Sequence, residues 1–175
     1  MVKVLCLFST REGQTKKILN TIARQLRDHR FHFENIHEMP VIDFSQYNKV
    51  LIGASVRYGH LNKRLYHFIK KNHLALNSIR SAFICISLTA RKESEEKDKP
   101  ERNTYVRKFL AKSPWEPKLI GVFAGALLYP KYNLVDRIII RLIMKITQGE
   151  TDPSKEVEYT NWKKVREFGK SFENL

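Results

Sequence analysis

The chain has 175 residues and a formal net charge of +14, which predicts one domain, residues 1–175, with a sizeable core. No apolar run approaches the ~20 residues of a membrane-spanning helix. Lys3 is the only charged residue before the apolar segment Val4–Phe8, and no cleavage site of small residues follows, so we expect no signal peptide and a cytosolic protein. The charge suits an anionic membrane or an acidic small molecule, and because no nucleic-acid-binding motif accompanies it, we expect no nucleic acid as a partner.

The first elements frame a polar loop, Ser9–Thr15, between an apolar strand, Val2–Phe8, and a helix predicted from Gln14 to His29. A helix start offers unpaired N–H groups and the positive end of a dipole, so this loop is suited to a phosphate. It lacks the Lys-Ser/Thr ending of a P-loop and the G-x-G-x-x-G fingerprint, which argues against an NTPase and a dinucleotide site. The spacing of Phe8, Thr10, Gly13 and Thr15 resembles the FMN-phosphate loop of flavodoxins. The alternative is an ordinary polar strand–helix turn.

The rest of the chain alternates strands with helices. We predict strands at Phe31–Ile36, Val50–Ala54, Ala82–Leu88 and Leu119–Leu128, and helices around 61–76, 105–110 and 162–172. The segments 37–47 and 91–102 are predicted to be loops. This alternation predicts an α/β fold, a flavodoxin-like doubly wound five-stranded parallel sheet in the order 2-1-3-4-5.

The two cysteines, Cys6 and Cys85, each lie within a predicted buried strand. In this strand order another strand separates theirs, which puts them roughly 10 Å apart. A disulfide cannot span that distance, so we expect both to be packing residues.

One segment, residues 129–148, is an insertion relative to the plain fold. Arg137, Arg141 and Lys145 recur every four residues, and apolar residues cover most of the remaining surface of a predicted helix, Leu134–Ile146. Such a helix suits an anionic membrane surface, with its cations near lipid phosphates. The alternative is a core helix with an exposed basic edge.

Four motifs occur together and in order: Phe8–Thr15, Ile52–His60, Ala124–Leu127 and Gly149–Asp152. The set is similar to the flavodoxin-like, quinone-dependent protoporphyrinogen IX dehydrogenase family of gamma-proteobacteria. The resemblance runs over nearly the whole chain and fades at the charged loop Glu93–Glu101, to which we assign no role.

The resemblance implies FMN as cofactor, protoporphyrinogen IX as substrate, and menaquinone or ubiquinone as acceptor, in haem biosynthesis. Six electrons would leave in three two-electron rounds through flavin N5. It also implies a peripheral location on the cytoplasmic face of the inner membrane, held by Leu134–Ile146. Three loops, which follow the first, third and fourth predicted strands, are expected to meet at the carboxyl edge of the sheet and bind the cofactor. Their cofactor-binding residues are Ser9, Thr10, Arg11, Glu12, Gly13, Gln14, Thr15, Ser55, Val56, Arg57, Tyr58, Gly59, Ser87, Leu88, Thr89, Ala90 and Arg91.

The protein itself offers few candidates for proton transfer, and no metal-ligand spacing or Ser/His/Asp set is present. His60 is a candidate catalytic residue because its pKa can lie near neutrality, and Arg57 is a second candidate. Alternatively, both shape the flavin loop. Arg91 and Lys92 are candidates for a propionate or the flavin, or are ordinary loop charges.

Three other functions remain open. An electron-carrier flavodoxin is usually acidic, whereas this chain is basic. An NAD(P)H:quinone reductase needs a nicotinamide site, which no segment indicates. A basic binding module that merely keeps the fold would not bind FMN.

Overall fold

A computed structural model describes residues 1–175 and places a five-stranded parallel sheet at the centre of the molecule. The strands are β1 (Val2–Ser9), β2 (His29–Asn35), β3 (Lys49–Ser55), β4 (Arg80–Ile86) and β5 (Leu119–Phe123), in the order β2-β1-β3-β4-β5. The helices are α1 (Gln14–Gln25), α2 (Lys63–Ser78), α3 (Thr104–Lys112), α4 (Leu134–Ile146) and α5 (Trp162–Glu173). The predicted fold class and strand order are therefore confirmed.

The sheet is covered on both faces, which explains the continuous apolar runs of its central strands. Ile18 of α1 and Phe168 of α5 pack in one core, whereas Phe68 of α2 and Phe109 of α3 pack in the other. The edge strand β2 alternates between half-buried and exposed side chains over most of its length. Because all five strands are parallel, their carboxyl ends open onto the same edge of the sheet.

Two predicted boundaries differ from the structure by more than two residues. The first helix ends at Gln25, not at His29, because β2 already begins at His29. The predicted last strand, Leu119–Leu128, divides after Phe123, and residues Ala126–Leu128 form a new strand, β6. This strand pairs antiparallel with β7 (Glu156–Glu158), a three-residue strand too short to give a sequence signal.

Cys6 and Cys85 are both buried and free. Strand β3 lies between their strands, pairing Cys6 with Leu51 and Cys85 with Ala54, and the two side chains belong to cores on opposite faces of the sheet. Burial raises the pKa of the Cys85 thiol to about 12. The prediction that both are packing residues is confirmed.

Helix α4 matches the predicted bounds, Leu134–Ile146, and is capped by Asn133, whose Oδ1 accepts from the Asp136 N–H at 2.8 Å. Its inward face consists of Asp136, Ile140 and Met144. Seven apolar side chains of this helix are exposed to solvent, namely Leu134, Val135, Ile138, Ile139, Leu142, Ile143 and Ile146. We call this set the α4 apolar face. No helix in the chain has the length and hydrophobicity needed to span a bilayer.

Candidate flavin site

A pocket opens at the carboxyl ends of β1, β3 and β4, where three loops meet the inward face of α4. We call it the flavin pocket. Its lining comes from the loops after β1, β3 and β4, from α3, from residues 125–126 after β5 and from the inserted segment. The lining residues are Thr10, Glu12, Gln14, Ser55, Val56, Arg57, Tyr58, Gly59, Ile86, Ser87, Leu88, Thr89, Tyr105, Gly125, Ala126, Tyr132, Ile140 and Ile143.

The loop after β1 ends in a helix start that has no side-chain cap and no acidic residue in its first turn. Gly13 precedes α1 with φ at 91°, a left-handed conformation that favours glycine. The Thr15 side chain is fully buried, and its Oγ1 has no hydrogen-bond partner. Buried hydroxyls are normally satisfied, so this vacant hydroxyl at a helix N-terminus fits an anion such as a phosphate.

The loop after β3 is a tight hairpin, Arg57–His60. The Arg57 N–H donates to the His60 carbonyl at 2.9 Å, and the His60 N–H donates back to Arg57 at 3.1 Å. The two central residues, Tyr58 and Gly59, have φ of 50° and 80°, which matches the turn type with both central φ angles positive. For Tyr58 this conformation costs on the order of 1 kcal/mol, so neighbouring contacts must stabilise it.

An ionic cluster ties this hairpin to the phosphate loop and to α4. Arg57 forms ion pairs with Glu12 and, through Nη2 at 2.6 Å, with Asp136. The Tyr58 hydroxyl donates to the same Asp136 carboxylate, and Arg11 approaches it to 3.4 Å. The cluster holds two cations and two carboxylates, so its members compensate one another.

The loop after β4 forms the third wall. The Ser87 and Thr89 hydroxyls lie 3.0 Å apart, and the Ser87 N–H donates to the Phe123 carbonyl of β5 at 3.0 Å. Arg91 donates from Nη1 to the Leu88 carbonyl at 2.7 Å and from Nη2 to the Thr147 carbonyl at 2.9 Å. Its guanidinium therefore braces this loop against the end of α4.

A second, more polar pocket adjoins the flavin pocket and shares the hairpin as a wall. The Ser9 hydroxyl lies 2.7 Å from His37 Nε2 within it. No carboxylate is among its lining residues, which are Ser9, Thr10, Arg11, His37, Ser55, Arg57, Tyr58, His60 and Asn62. We call it the cationic pocket, and its chemistry suits an anionic group.

Comparison with known proteins decides the family. Residues 5–154 match the Flavodoxin domain model. A protoporphyrinogen IX dehydrogenase [quinone] of Leishmania major is 47% identical over 176 residues, covering 99% of this chain and 75% of the relative. One of Escherichia coli (strain K12) is 44% identical over 176 residues, covering 99% of this chain and 96% of the relative. The chain therefore belongs to the flavodoxin-domain family of these protoporphyrinogen IX dehydrogenases [quinone].

The resemblance inferred from the motifs is thus confirmed. The names of the relatives also confirm the prediction that the chain belongs to a family of oxidoreductases. The Leishmania major relative shows that the family extends beyond the gamma-proteobacteria. Among solved structures, the Streptococcus pneumonia TIGR4 flavodoxin aligns with a TM-score of 0.50 at 11% identity, covering 98% of each chain, and this likeness supports the fold.

The residues present fit FMN, the cofactor that the flavodoxin domain match also supports. The vacant Thr15 hydroxyl and the uncapped start of α1 suit one terminal phosphate. Gly53 of β3 lets α1 approach closely, because a Cβ at this position would lie 2.9 Å from Thr15 Cγ2. The flavin pocket also has apolar and aromatic walls on which a ring can pack.

The structure brings most of the predicted cofactor residues together, but not all into one pocket. Ser9 and Arg11, together with the catalytic candidate His60, line the cationic pocket and not the flavin pocket. Eleven predicted residues line the flavin pocket, namely Thr10, Glu12, Gln14, Ser55, Val56, Arg57, Tyr58, Gly59, Ser87, Leu88 and Thr89. Four others belong to the same loops but do not line the pocket: Gly13 and Thr15 at the start of α1, and Ala90 and Arg91 after β4.

The two candidate catalytic residues have different surroundings. Arg57 is engaged by Glu12 and Asp136 beside the flavin pocket. His60 is exposed, and its Nδ1 lies 3.1 Å from the Tyr58 carbonyl within the hairpin. This places the His60 ring where it shapes the turn and faces the cationic pocket.

Sequence reasoning missed the residues that reach the pocket from distant segments. Tyr105 of α3 and Tyr132, which precedes α4, both line it, and burial raises the pKa of each phenol. Ile140, Ile143 and the ion-pairing Asp136 come from α4. An acidic residue at the start of a helix whose other charges are basic was the available signal for Asp136.

Proposed function

We propose that this chain catalyses the FMN-dependent oxidation of protoporphyrinogen IX to protoporphyrin IX, with a quinone as electron acceptor, in haem biosynthesis. The observation that carries the proposal is the 44–47% identity to two proteins of that name over 99% of this chain. The flavin pocket supports it, because three loops with the expected residues converge there. The reaction removes six electrons and six protons and reduces three quinones to quinols.

FMN, when bound, supplies the two-electron redox chemistry that the side chains of this protein lack. Thr10, Gln14 and Thr15 would hold its phosphate, together with the N–H groups at the start of α1. The hairpin and the Ser87–Thr89 segment flank the space for the ring. The apolar walls exclude water from that space, which favours electron transfer over side reactions.

The two pockets together suit the proposed substrate. A tetrapyrrole has a large apolar ring system and two propionates. Tyr105, Tyr132 and Ile143 offer the ring an aromatic and aliphatic surface. In the adjoining cationic pocket, Arg11 offers its carboxylates a positive charge, and Arg11 and His37 offer hydrogen-bond donors. The same apolar surface suits the headgroup of menaquinone or ubiquinone.

We also propose that the α4 apolar face holds the protein on an anionic membrane, such as the cytoplasmic face of an inner membrane. Seven exposed apolar side chains on one helix favour contact with a nonpolar phase. Arg141 and Lys145 are exposed on the same helix, and each contributes ~1 kcal/mol near anionic lipid. A membrane location would bring the flavin pocket close to a lipid-soluble acceptor.

The decisive experiment is anaerobic turnover of protoporphyrinogen IX by FMN-loaded protein, followed by the fluorescence of protoporphyrin IX. We expect porphyrin formation with a ubiquinone or menaquinone analogue and negligible formation without an acceptor. Rapid quinone reduction by NADH without porphyrinogen turnover would instead identify an NAD(P)H:quinone reductase. A protein that binds FMN but supports neither reaction would indicate an electron carrier.

A further inference from the structure

The first turn of α4 carries a buried carboxylate, Asp136, that is 5% exposed. Taking a carboxylate out of water is costly unless partners compensate its charge. Its backbone N–H is satisfied by Asn133, and the favourable interaction of a first-turn carboxylate with the helix dipole does not require the side chain to be buried. The partners of the carboxylate must explain its position.

All of those partners belong to the loops of the flavin pocket. Arg57 and Tyr58, the first half of the hairpin, both donate to the carboxylate. Arg11 of the phosphate loop lies within 3.4 Å of it. Glu12 forms an ion pair with Nη1 of the same Arg57 whose Nη2 pairs with Asp136. One side chain of the inserted helix therefore contacts two of the three loops.

The other end of α4 is fastened in a similar way. Arg91, from the third loop, donates from Nη2 to both the carbonyl and the hydroxyl of Thr147, at 2.9 and 3.0 Å. Between these two attachments, the inward Ile140 lines the flavin pocket, and so does Ile143, which lies at the edge of the α4 apolar face and is only partly exposed. Helix α4 is consequently a wall of the pocket, and not a separate appendage.

We propose that Asp136 is a positioning residue that fixes the conformation of the Arg57–His60 hairpin against bound flavin. The proposal rests on FMN as the cofactor of the proposed function. The strained φ of Tyr58 needs external contacts, and the Asp136 carboxylate supplies one to the Tyr58 hydroxyl and one to the Arg57 guanidinium. The same contacts couple the outward α4 apolar face to the inward flavin loops.

The test compares Asp136→Asn, which keeps the shape and removes the charge, with Asp136→Glu and the parent. The readouts are hydrogen exchange at residues 57–60 in FMN-free protein, the FMN dissociation constant and the midpoint potential of bound FMN. Asp136→Asn should raise exchange at the hairpin at least 10-fold, weaken FMN binding 5- to 50-fold and shift the potential. Asp136→Glu should recover part of each change.

A matched control is Glu116→Gln, which removes an exposed carboxylate that forms no ion pair and lies outside both pockets. It should leave all three readouts within 2-fold of the parent. If Asp136→Asn does not fold, Tyr58→Phe breaks the same contact from the hairpin side without leaving a buried charge unpaired.

Unchanged exchange at residues 57–60 in a folded Asp136→Asn or Tyr58→Phe protein would overturn the proposal. Hairpin exchange that rises equally in the Glu116→Gln control would do the same. Failure of the parent to bind FMN would overturn the proposed function, whereas the exchange measurement on FMN-free protein would still decide the role of Asp136.

Discussion

Thr15 gives the most direct indication of an anionic ligand, because its hydroxyl is fully buried. It has no partner in the protein, and a hydrogen bond to a charged group contributes ~1.5–3 kcal/mol. The sequence pointed to Thr15 through the spacing of its loop, because phosphate contacts come from consecutive residues. It did not point to Asp136, because that carboxylate reaches the site from a distant segment.

Thr15→Val should weaken FMN binding about 10- to 150-fold. The free energy of unfolding of the FMN-free protein should not fall and should rise by up to ~1–3 kcal/mol, because the substitution removes a buried hydroxyl that has no partner. Fluorescence titration and urea denaturation measure the two quantities. Thr21→Val is the matched control on the same helix, where the hydroxyl bonds the Lys17 carbonyl at 2.9 Å. Equal FMN affinity of Thr15→Val and the parent would place the phosphate elsewhere.

Cys6 and Cys85 should both fail to react with a thiol reagent in the folded protein at pH 8, and both should react once it is unfolded. Burial raises the pKa of each thiol above the ordinary value of 9.0, to about 12 for Cys85. The folded state thus retains the protons that the unfolded state loses above pH 9, so the thiol contribution to stability decreases as the pH rises from 9 towards 12. Labelling of either cysteine in the folded protein would contradict the packing role.

At the scale of elements, the strands and their order follow from apolar runs separated by helical patterns, and these were predictable. The division of the last strand was not, because Ala126–Leu128 continues the apolar run while leaving the sheet to pair with β7. The bounds of α4 were predictable from its periodicity. Its exposure was not, because a helix with a broad apolar face fits a core and a membrane surface equally well.

Gly53→Ala tests how closely α1 must approach β3. The added methyl would lie 2.9 Å from Thr15 Cγ2 and 3.0 Å from Leu19 Cδ1, and overpacking of this kind costs ~1–3 kcal/mol. FMN affinity should fall as well, because Thr15 must move. Gly121→Ala is the control, since its methyl would lie 2.7 Å from Phe168 and away from the phosphate loop. It should lower stability and spare FMN affinity, and a similar loss of affinity in both variants would refute the local explanation.

Arg141→Glu with Lys145→Glu should release the protein from anionic liposomes, measured by co-sedimentation, and slow turnover with a long-tailed quinone. FMN content and turnover with a soluble quinone should change little, because both residues are exposed. Arg137 is left intact because it is half-buried and donates to the Tyr132 carbonyl beside the pocket. The control is Arg107→Glu with Lys108→Glu, an exposed basic pair on α3. Release by both double variants alike would assign the binding to net charge alone.

For the whole molecule, the net charge of +14 favours approach to an anionic membrane, and the α4 apolar face is the surface that we propose makes the contact. The same helix also forms one wall of the flavin pocket. The proposed membrane contact would therefore be linked to the flavin chemistry through α4, a connection that a linear motif cannot convey because it depends on which face of the helix meets the loops.

The stoichiometry of the anaerobic reaction tests the central claim most directly. A limiting, known amount of protoporphyrinogen IX is mixed with FMN-loaded protein and excess quinone, and protoporphyrin and quinol are quantified at completion. Six electrons per porphyrin require three quinols per protoporphyrin formed, with no porphyrin from FMN-free protein. A ratio that differs from three, or porphyrin formation that continues at the same rate without the quinone, would contradict the proposed function.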